Sequence, residues 1–234
     1  MADAAGTVFL FDVDNTLLDN DAVQADLGAH LEREFGRTSC ERYWTIFEEL
    51  RKELGYADYL GALQRYRLEN LDDPQLLTLS LFLVDYPFRA RLYPGALAAL
   101  ERCARLGPTV ILSDGDVVFQ PLKVQRSGLW DAVAGRVLIY LHKERMLDAV
   151  QRRHPARHYV MVDDKLRILS AMKQAWGDRL TTVFPRQGHY ALDARESARW
   201  PAADLEIAGI ADLADLAALP GRGGLRRAAE GSRD

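Results

Sequence analysis

The chain has 234 residues, of which 48% are hydrophobic and 27% are charged, and its formal net charge at pH 7 is -4. A chain of this length forms one or two domains with a real core, and the composition is ordinary for a globular protein. The negative charge argues weakly against a nucleic-acid partner, because no overall positive field attracts phosphates. The two cysteines, Cys40 and Cys103, have neither metal-binding spacing nor a disulfide pattern, so we expect a reduced, cytoplasmic location.

We expect neither a secretory signal nor a membrane anchor. Residues 1–6 lack a basic region and are followed by no long apolar segment, so a signal peptide is not predicted. No uninterrupted apolar stretch is long enough to span a bilayer. The sequence therefore predicts no membrane partner, and it leaves the oligomeric state open.

The first predicted strand ends in two acids. Residues 8–11 form a short run of β-branched, aromatic and aliphatic side chains, which is typical of a buried strand. Asp12 and Asp14 follow, and in an extended backbone residues two apart project to the same side, roughly 6.6 Å apart. Carboxylates this close raise each other's pKa or require a cation, and a hard ion such as Mg²⁺ suits them. The alternative is an acidic turn, which Asn15 also favours.

An all-helical insert is predicted over residues 20–88. Apolar residues recur there at helical spacing, and glycines stand where the first two helices end. The first three predicted helices cover residues 22–35, 39–54 and 57–69. A fourth is predicted to begin at Asp73 and Pro74, an N-cap followed by proline at the first helical position.

The remainder of the chain alternates between strand and helix patterns. The predicted strands cover residues 108–112, 136–140, 158–162, 180–184 and 205–207. The predicted helices cover residues 94–105, 115–127, 142–153, 166–176 and 211–219. This alternation predicts an α/β fold, in which a Rossmann-like parallel sheet carries helices on both faces.

The domain organisation follows from these patterns. We expect an α/β core built from residues 1–18 and 92–220, interrupted by an all-helical cap domain over residues 19–91. Residues 221–234 are rich in glycine and charge, and we expect them to form a flexible tail.

Polar residues suited to phosphoryl chemistry follow three later strands. Ser113, with the N–H groups of the turn at Gly115, predicts a phosphate cradle. Lys143 would add a point positive charge, and Asp163 with Asp164 suggests a second cation site. Singly, each has an ordinary alternative: a serine N-cap, a solvated lysine, and acids that cap the next helix. Together they fall at the carboxyl ends of predicted parallel strands, where ligands bind in such sheets.

In this order, the motifs resemble those of the haloacid dehalogenase superfamily. The resemblance covers residues 7 to about 185, with the spacing of members that carry a helical cap after the first strand. The matching residues are Asp12, Asp14 and Thr16 after the first strand, Ser113 after the second, Lys143 after the third, and Asp163 with Asp164 after the fourth. The first motif is fairly specific, and the others are informative because they occur in order.

The resemblance implies a phosphoryl-transfer chemistry. Asp12 would be the nucleophile that forms an aspartyl-phosphate, which divides one difficult displacement into two easier ones. Asp14 would protonate the leaving oxygen and then activate water as a general base. Ser113 and Lys143 would hold the phosphoryl oxygens, where charge accumulates in a loose transition state.

The resemblance also implies a Mg²⁺ site. Its ligands would be a carboxylate oxygen of Asp12, the backbone carbonyl of Asp14 and the carboxylate of Asp164, with Asp163 as the supporting partner behind them. Thr16 would fix the loop that carries the first motif.

The sequence departs from the family pattern at three positions. Asn15 stands where the first motif often has glycine, Glu144 replaces the proline that commonly follows the motif lysine, and Lys165 replaces a small residue. Lys165 is expected either to pair with an acid or to reach the substrate. His189 is expected either to line the rim of the site or to pack its loop.

Asp14 distinguishes between activities of the family. An aspartate two residues after the nucleophile is typical of phosphatases and phosphomutases, whereas dehalogenases typically lack it because a halide leaves without a proton. The sequence therefore predicts a Mg²⁺-dependent hydrolase of a small soluble phosphomonoester. The alternatives are a phosphomutase and a non-catalytic protein that binds phospho-ligands.

The cap is expected to act as a lid with hinges near residues 18–21 and 89–93. Two sets of cap side chains are candidates for substrate contacts, with packing in the cap core or solvation as the alternative. The aromatic candidates are Tyr43, Trp44 and Tyr66, and the basic candidates are Arg65, Arg67, Arg89 and Arg91.

Overall fold

A computed structural model describes residues 5–215 of the chain. The predicted tail over residues 221–234, and the end of the last predicted helix, lie outside the described residues. Within residues 5–215, no helix is both long enough and apolar enough to span a membrane.

Six parallel strands form one sheet with the order β3-β2-β1-β4-β5-β6. The strands are β1 (Ala5–Phe11), β2 (Thr109–Asp114), β3 (Val137–Tyr140), β4 (Ala156–Val162), β5 (Leu180–Pro185) and β6 (Leu205–Ile207). The predicted α/β class and the parallel sheet are confirmed. The first strand lies in the middle, between β2 and β4, so the strand order reverses beside it; ligands bind at such points in open α/β sheets.

The central strand is buried on both faces because its side chains alternate between two hydrophobic clusters. Val8 and Leu10 pack in one cluster, while Phe9 and Phe11 pack in the other. The second cluster continues into the inserted helices, where it includes Leu27. A strand covered on both faces is expected to be apolar throughout, as residues 8–11 are.

The helical insert between β1 and β2 is also confirmed. Its helices are α1 (Asn20–Phe35), α2 (Arg37–Leu54), α3 (Tyr59–Glu69) and α4 (Leu76–Asp85). Helix α2 ends at Gly55, whose left-handed φ of 81° is available to glycine without strain. The predicted start of α4 was wrong: Asp73 accepts the N–H of Gln75 in a turn, and the helix begins at Leu76.

The remaining helices cover the two faces of the sheet. They are α5 (Ala96–Ala104), α6 (Phe119–Arg126), α7 (Leu129–Ala132), α8 (Leu147–Arg153), α9 (Leu166–Trp176), α10 (Gly188–Leu192), α11 (Ala194–Ser197) and α12 (Asp212–Asp215). The short α7, α10 and α11 were not predicted. Helix α6 begins four residues later than predicted, and a 3-10 turn at Lys143–Arg145 precedes α8.

The chain passes between core and insert at two adjacent points. Leu18 and Leu92 form an antiparallel bridge. The N–H of Asp19 donates to the carbonyl of Arg91 at 2.7 Å, and the N–H of Tyr93 donates to the carbonyl of Leu17 at 2.9 Å. These crossings coincide with the predicted hinge segments, and their pairing fixes where the insert emerges beside the end of β1.

We predict that Leu10→Ala destabilises the protein by about 2–5 kcal/mol, because it leaves a cavity in the fully buried central strand. Leu77→Ala is the matched control: Leu77 on α4 is 71% exposed, and its truncation should change the free energy of unfolding by less than about 0.5 kcal/mol. Urea denaturation of both variants measures the difference. Equal losses would contradict the central position of β1.

Candidate active site

Asp12 lies at the carboxyl end of β1 and is almost fully buried, with 3% of its surface exposed. Lys143, which is also buried, donates from Nζ to Asp12 Oδ1 at 2.5 Å. Ser113 Oγ donates to the same oxygen at 3.3 Å, and Thr16 Oγ1 donates to Asp12 Oδ2 at 3.4 Å. The structure therefore brings together the candidate residues after β1 and β3 with Ser113, which lies inside β2 one residue before its end.

The two acids after β4 complete the cluster. Lys143 Nζ lies 2.7 Å from Asp163 Oδ2, so the two side chains form an ion pair. The backbone N–H of Asp164 donates to Thr16 Oγ1 at 3.1 Å, which ties the first and fourth motifs together. One carboxylate oxygen each from Asp12, Asp163 and Asp164 lies within 4.8 Å of the others.

The charges in this cluster are not balanced. Burial acts to raise the pKa of Asp12, but the charges of Lys143 and Lys165 outweigh it and hold that pKa below its usual value. Burial raises the pKa of Asp163 to about 6 and that of Asp164 well above its usual range, against the opposing effect of the lysines. The charge of Lys143 thus compensates the carboxylate of Asp12, whereas ionisation of Asp163 and Asp164 remains costly.

Asp164 shows that the cluster fits a metal ion. Both of its carboxylate oxygens are buried, and neither has a hydrogen-bond partner among residues 5–215. A buried carboxylate without partners is costly unless a cation compensates it. An all-oxygen set of acids suits a hard dication such as Mg²⁺.

Asp14 points to a partner that the sequence reasoning missed. Lys123, on α6, is buried and donates from Nζ to Asp14 Oδ1 at 2.7 Å and to Asn20 Oδ1 at 3.0 Å. Gln120, one turn earlier, donates to Ser113 Oγ at 3.0 Å and lies 3.5 Å from Asp14 Oδ2. The available signal was that these two polar residues share the apolar face of α6.

Asn15 is the residue that turns the chain after the acids. Its φ of 59° is in the left-handed region, which explains why related motifs often have glycine here and why asparagine is tolerated. Its Oδ1 accepts the backbone N–H groups of Asn20 and Asp21 at 3.0 and 3.1 Å, which caps the start of α1. A Cβ at Gly188 would lie 2.4 Å from the Cβ of Asn15, so only glycine fits against this turn.

The predicted phosphate cradle after β2 is only partly present. The N–H of Gly115 donates to the carbonyl of Tyr140 at 2.9 Å. The N–H groups of Val118 and Phe119 donate to Asp116 Oδ1 at 2.7 and 2.6 Å. These three backbone donors are already satisfied within the protein, so they are not available to a phosphate. The hydroxyl of Ser113 donates to Asp12 at the site.

A cavity of about 340 Å³ opens between the inserted helices and the carboxyl ends of the strands. Its wall includes Asp14 and Asp164, while Asp12 lies buried beside them. The cap contributes Phe47, Arg51, Tyr56 and Tyr59, and the core contributes Lys165, Arg167, His189, Tyr190 and Trp200.

The three aromatic side chains of the cap that were predicted to contact substrate do not line the cavity. Tyr43 and Tyr66 are buried in the hydrophobic core, and Trp44 packs against it. Their helical spacing reflects packing of the insert, which was the alternative interpretation. The insert residues that line the cavity come instead from the first half of α1, the second half of α2, the segment that follows α2 and the first residue of α3.

The predicted basic contacts are also absent from the wall of the cavity. Arg65 forms an exposed ion pair with Glu53 at 2.7 Å, and Arg91 pairs with Asp26. Arg67 and Arg89 do not line the cavity either. Arg51, which had not been singled out, is the cap arginine in its wall.

His189 and Lys165 both line the cavity. His189 Nδ1 lies 2.6 Å from Asp21 Oδ1, and its backbone N–H donates to Asp21 Oδ2 at 2.8 Å. This pair connects α10 of the core with the start of the insert. Lys165 Nζ lies over the ring of Tyr190, 5.0 Å from its centroid.

The fold and the order of these motifs define a class of hydrolase, and the comparisons agree. The profile of the haloacid dehalogenase-like hydrolases matches residues 7–175, and the chain belongs to this family. A solved protein of Burkholderia xenovorans LB400, described as a haloacid dehalogenase-like hydrolase, is 68% identical, with a TM-score of 0.87 over 91% of this chain and 99% of that one.

More distant structures share the fold. The L-2-haloacid dehalogenase of Xanthobacter autotrophicus is 21% identical, with a TM-score of 0.58 over 89% of this chain and 96% of that one. The HAD-hydrolase YfnB of Bacillus subtilis, solved bound to magnesium, is 18% identical, with a TM-score of 0.58 over 88% and 96%. No curated protein sequence matches the chain.

The ion pair between Lys123 and Asp14 predicts energetic coupling. Lys123→Met leaves Asp14 without its cation, whereas the double variant with Asp14→Asn leaves no charge to compensate. We expect the double variant to lose about 0.5–3 kcal/mol less stability than the sum of the single variants. A double-mutant cycle in urea measures this coupling, and additive losses would show that the contact has no energetic role.

The carboxylate of Asp164, which has no hydrogen-bond partner in the described part of the chain, predicts a response to metal. We expect 100-fold excess Mg²⁺ over its Kd to stabilise the protein by about 2.7 kcal/mol, or about 5–10 °C in Tm. Asp164→Asn should abolish this response, while Asp178→Asn, at an exposed acid, should retain it. Thermal unfolding with Mg²⁺ or with chelator measures both.

A pH series in chelator tests the same residue. The folded-state pKa of Asp164 is raised above its ordinary value of 3.8, so its contribution to stability is complete below that pH and is lost as pH rises through the folded pKa. We therefore expect Asp164→Asn to be more stable than the wild type in chelator at neutral pH. Two results together would contradict a metal site here: a wild type whose stability does not change with Mg²⁺, and an Asp164→Asn variant that is less stable than the wild type in chelator.

Proposed function

We propose that the protein is a Mg²⁺-dependent phosphomonoester hydrolase that acts on a small phosphate ester through an aspartyl-phosphate on Asp12. The observation that supports this proposal best is the buried contact of Asp12 with Lys143 and Ser113, beside Asp164, whose carboxylate has no hydrogen-bond partner among residues 5–215. A cytoplasmic location is part of the same proposal.

The reaction proceeds in two displacements. Asp12 attacks phosphorus, a new bond forms between its carboxylate oxygen and phosphorus, and the ester oxygen leaves with a proton from Asp14. Asp14 then takes a proton from water, which attacks the aspartyl-phosphate and releases phosphate with the Asp12 carboxylate restored. Lys143 and Ser113, both within 3.3 Å of Asp12 Oδ1, are placed to hold phosphoryl oxygens during both steps.

The ion pair with Lys123 has a role in this scheme. It holds Asp14 at the wall of the cavity, where the carboxyl group can give a proton to the leaving oxygen and take one from water. For the first displacement the proton must be present on Asp14. Lys123 is therefore a positioning residue whose contact must adjust between the two displacements.

Mg²⁺ would be held by the carboxylates of Asp12 and Asp164 and by the backbone carbonyl of Asp14, with Asp163 as supporting partner. Bound there, it would supply positive charge that offsets the acids and the phosphoryl group. YfnB, which shares the fold, was solved bound to magnesium. Closure of the helical insert over residues 19–91 would exclude water from the site.

Dehalogenation is the competing activity within the family, because several structural neighbours are L-2-haloacid dehalogenases. Their identities of 16% to 21% support the fold alone. A halide leaves without a proton, so that reaction has no use for an acid at Asp14. The presence of Asp14 at the cavity therefore favours phosphate ester hydrolysis.

We predict release of inorganic phosphate from phosphomonoesters with Mg²⁺ and none with chelator. The panel contains an activated aryl phosphate, nucleotides, sugar phosphates and phosphorylated acids, with 2-chloropropionate as the halide-release arm. Asp12→Asn should abolish turnover, and Asp14→Asn should lower kcat by about 10²–10⁴-fold. Asp178→Asn is the control and should retain wild-type rates.

The other outcomes identify the alternatives. Chloride release without phosphate release would replace the proposal with dehalogenation. Transfer of phosphate between positions of a sugar phosphate without net release would identify a phosphomutase. Ligand-induced stabilisation without any turnover would identify a binding protein. Wild-type activity in Asp12→Asn would overturn the mechanism.

A further inference from the structure

Two cations flank the ring of Tyr190 in the outer part of the cavity. Lys165 Nζ lies 5.0 Å from the ring centroid, and the guanidinium carbon of Arg51 lies 5.8 Å from it. Arg51 also donates from Nη2 to the hydroxyl of Tyr190. Arg51 comes from helix α2 of the insert, whereas Lys165 and Tyr190 come from the core, so this group forms where the two parts face each other.

The acids near Arg51 and Lys165 do not neutralise these cations on the side that faces the cavity. Glu48 lies 3.1 Å from Arg51, but its side chain is half exposed and it does not line the cavity. Glu196 does line the cavity, but it accepts from Arg199 at 2.9 Å and from Trp200 Nε1 at 3.2 Å. Lys165 faces Asp164 and Asp12, which are the acids that the proposed function assigns to Mg²⁺.

The size and walls of the cavity limit the ligand. At about 340 Å³ it is at the low end of ligand pockets, which span about 300–1,000 Å³. Aromatic side chains from both parts line it, including Tyr56 and Trp200. A planar fork such as that of arginine matches the two oxygens of a carboxylate.

We propose that Arg51 and Lys165 form an anion subsite against Tyr190, and that the substrate is a small phosphorylated carboxylic acid whose carboxylate binds there. The inference rests on the proposed function, because it places the phosphoryl group at Asp12. It names a substrate class and a specificity-determining residue, Arg51, that lies outside the motifs of the phosphoryl site.

Binding of two phosphonates tests the subsite without requiring turnover. 3-Phosphonopropionate carries a carboxylate where propylphosphonate carries a methyl group, and neither can be hydrolysed. In the presence of Mg²⁺ we expect the wild type to bind 3-phosphonopropionate about tenfold or more tightly than propylphosphonate, as measured by calorimetry. Arg51→Gln should remove this preference while its affinity for propylphosphonate stays unchanged, which also reports that the variant is folded.

Two further variants separate recognition from packing. Arg42→Gln removes an arginine of the same helix that pairs with Glu69 outside the cavity, and it should keep the preference. Tyr190→Phe removes the hydroxyl that Arg51 contacts but keeps the ring. If Arg51 served only to hold Tyr190, Arg51→Gln and Tyr190→Phe would weaken the binding of both phosphonates equally, and the subsite would be overturned.

The outcomes distinguish this inference from the proposed function. The subsite is overturned if the wild type binds both phosphonates with equal affinity, or if Arg51→Gln weakens the binding of both phosphonates equally. This holds even if phosphate esters are hydrolysed. A preference that is lost in Arg51→Gln supports the subsite even if no ester is hydrolysed, in which case only the hydrolase proposal fails. Failure of both phosphonates to bind, with no phosphate release, overturns both.

Discussion

The site depends on one ammonium group. Lys143 reaches from the turn after β3 to Asp12 at the end of β1 and to Asp163 at the end of β4, and it is 1% exposed. Burial alone would lower the pKa of this lysine, but the charges of Asp12 and Asp163 outweigh burial and raise it. Removing one partner of a buried ion pair typically costs about 3–5 kcal/mol, so the lysine and its acids constrain one another. The three strand ends are thereby tied to a single charge.

Most of the fold, and the inner part of the site, could be predicted because both depend on local patterns. A central strand that is apolar on both faces, followed by acids, has few other interpretations, and residues 8–14 show this pattern. Ser113 and Lys143 were identifiable because parallel strands bring their carboxyl ends to one edge of the sheet. The structure places both against Asp12.

The outer part of the site could not be predicted from the same reasoning, because it depends on how the insert packs. Tyr43 and Arg51 lie on the same helix, yet one is buried in the core and the other lines the cavity. Helical spacing shows that α2 has an apolar face, but it does not show which end of the helix faces the cavity and the strand ends of the α/β domain. Lys123 was missed for a related reason: a lysine is usually solvated, so its place on the apolar face of α6 was not interpreted as burial, and the tertiary position of α6 shows that it lies against Asp14. Tyr190 lies on a five-residue helix too short to give a periodic signal.

The position of Asn15 explains how the inner and outer parts are joined. The residue adopts a left-handed conformation directly after Asp14, and its side chain caps the helix that begins the insert. The same turn is packed against Gly188, at the start of the short helix that carries His189 and Tyr190. A single turn therefore sets the direction of the first acidic motif, the start of the insert and the position of the core helix that faces it. Because Arg51 meets Tyr190 from across the cavity, the geometry of the proposed carboxylate subsite depends on the same turn that orients Asp14.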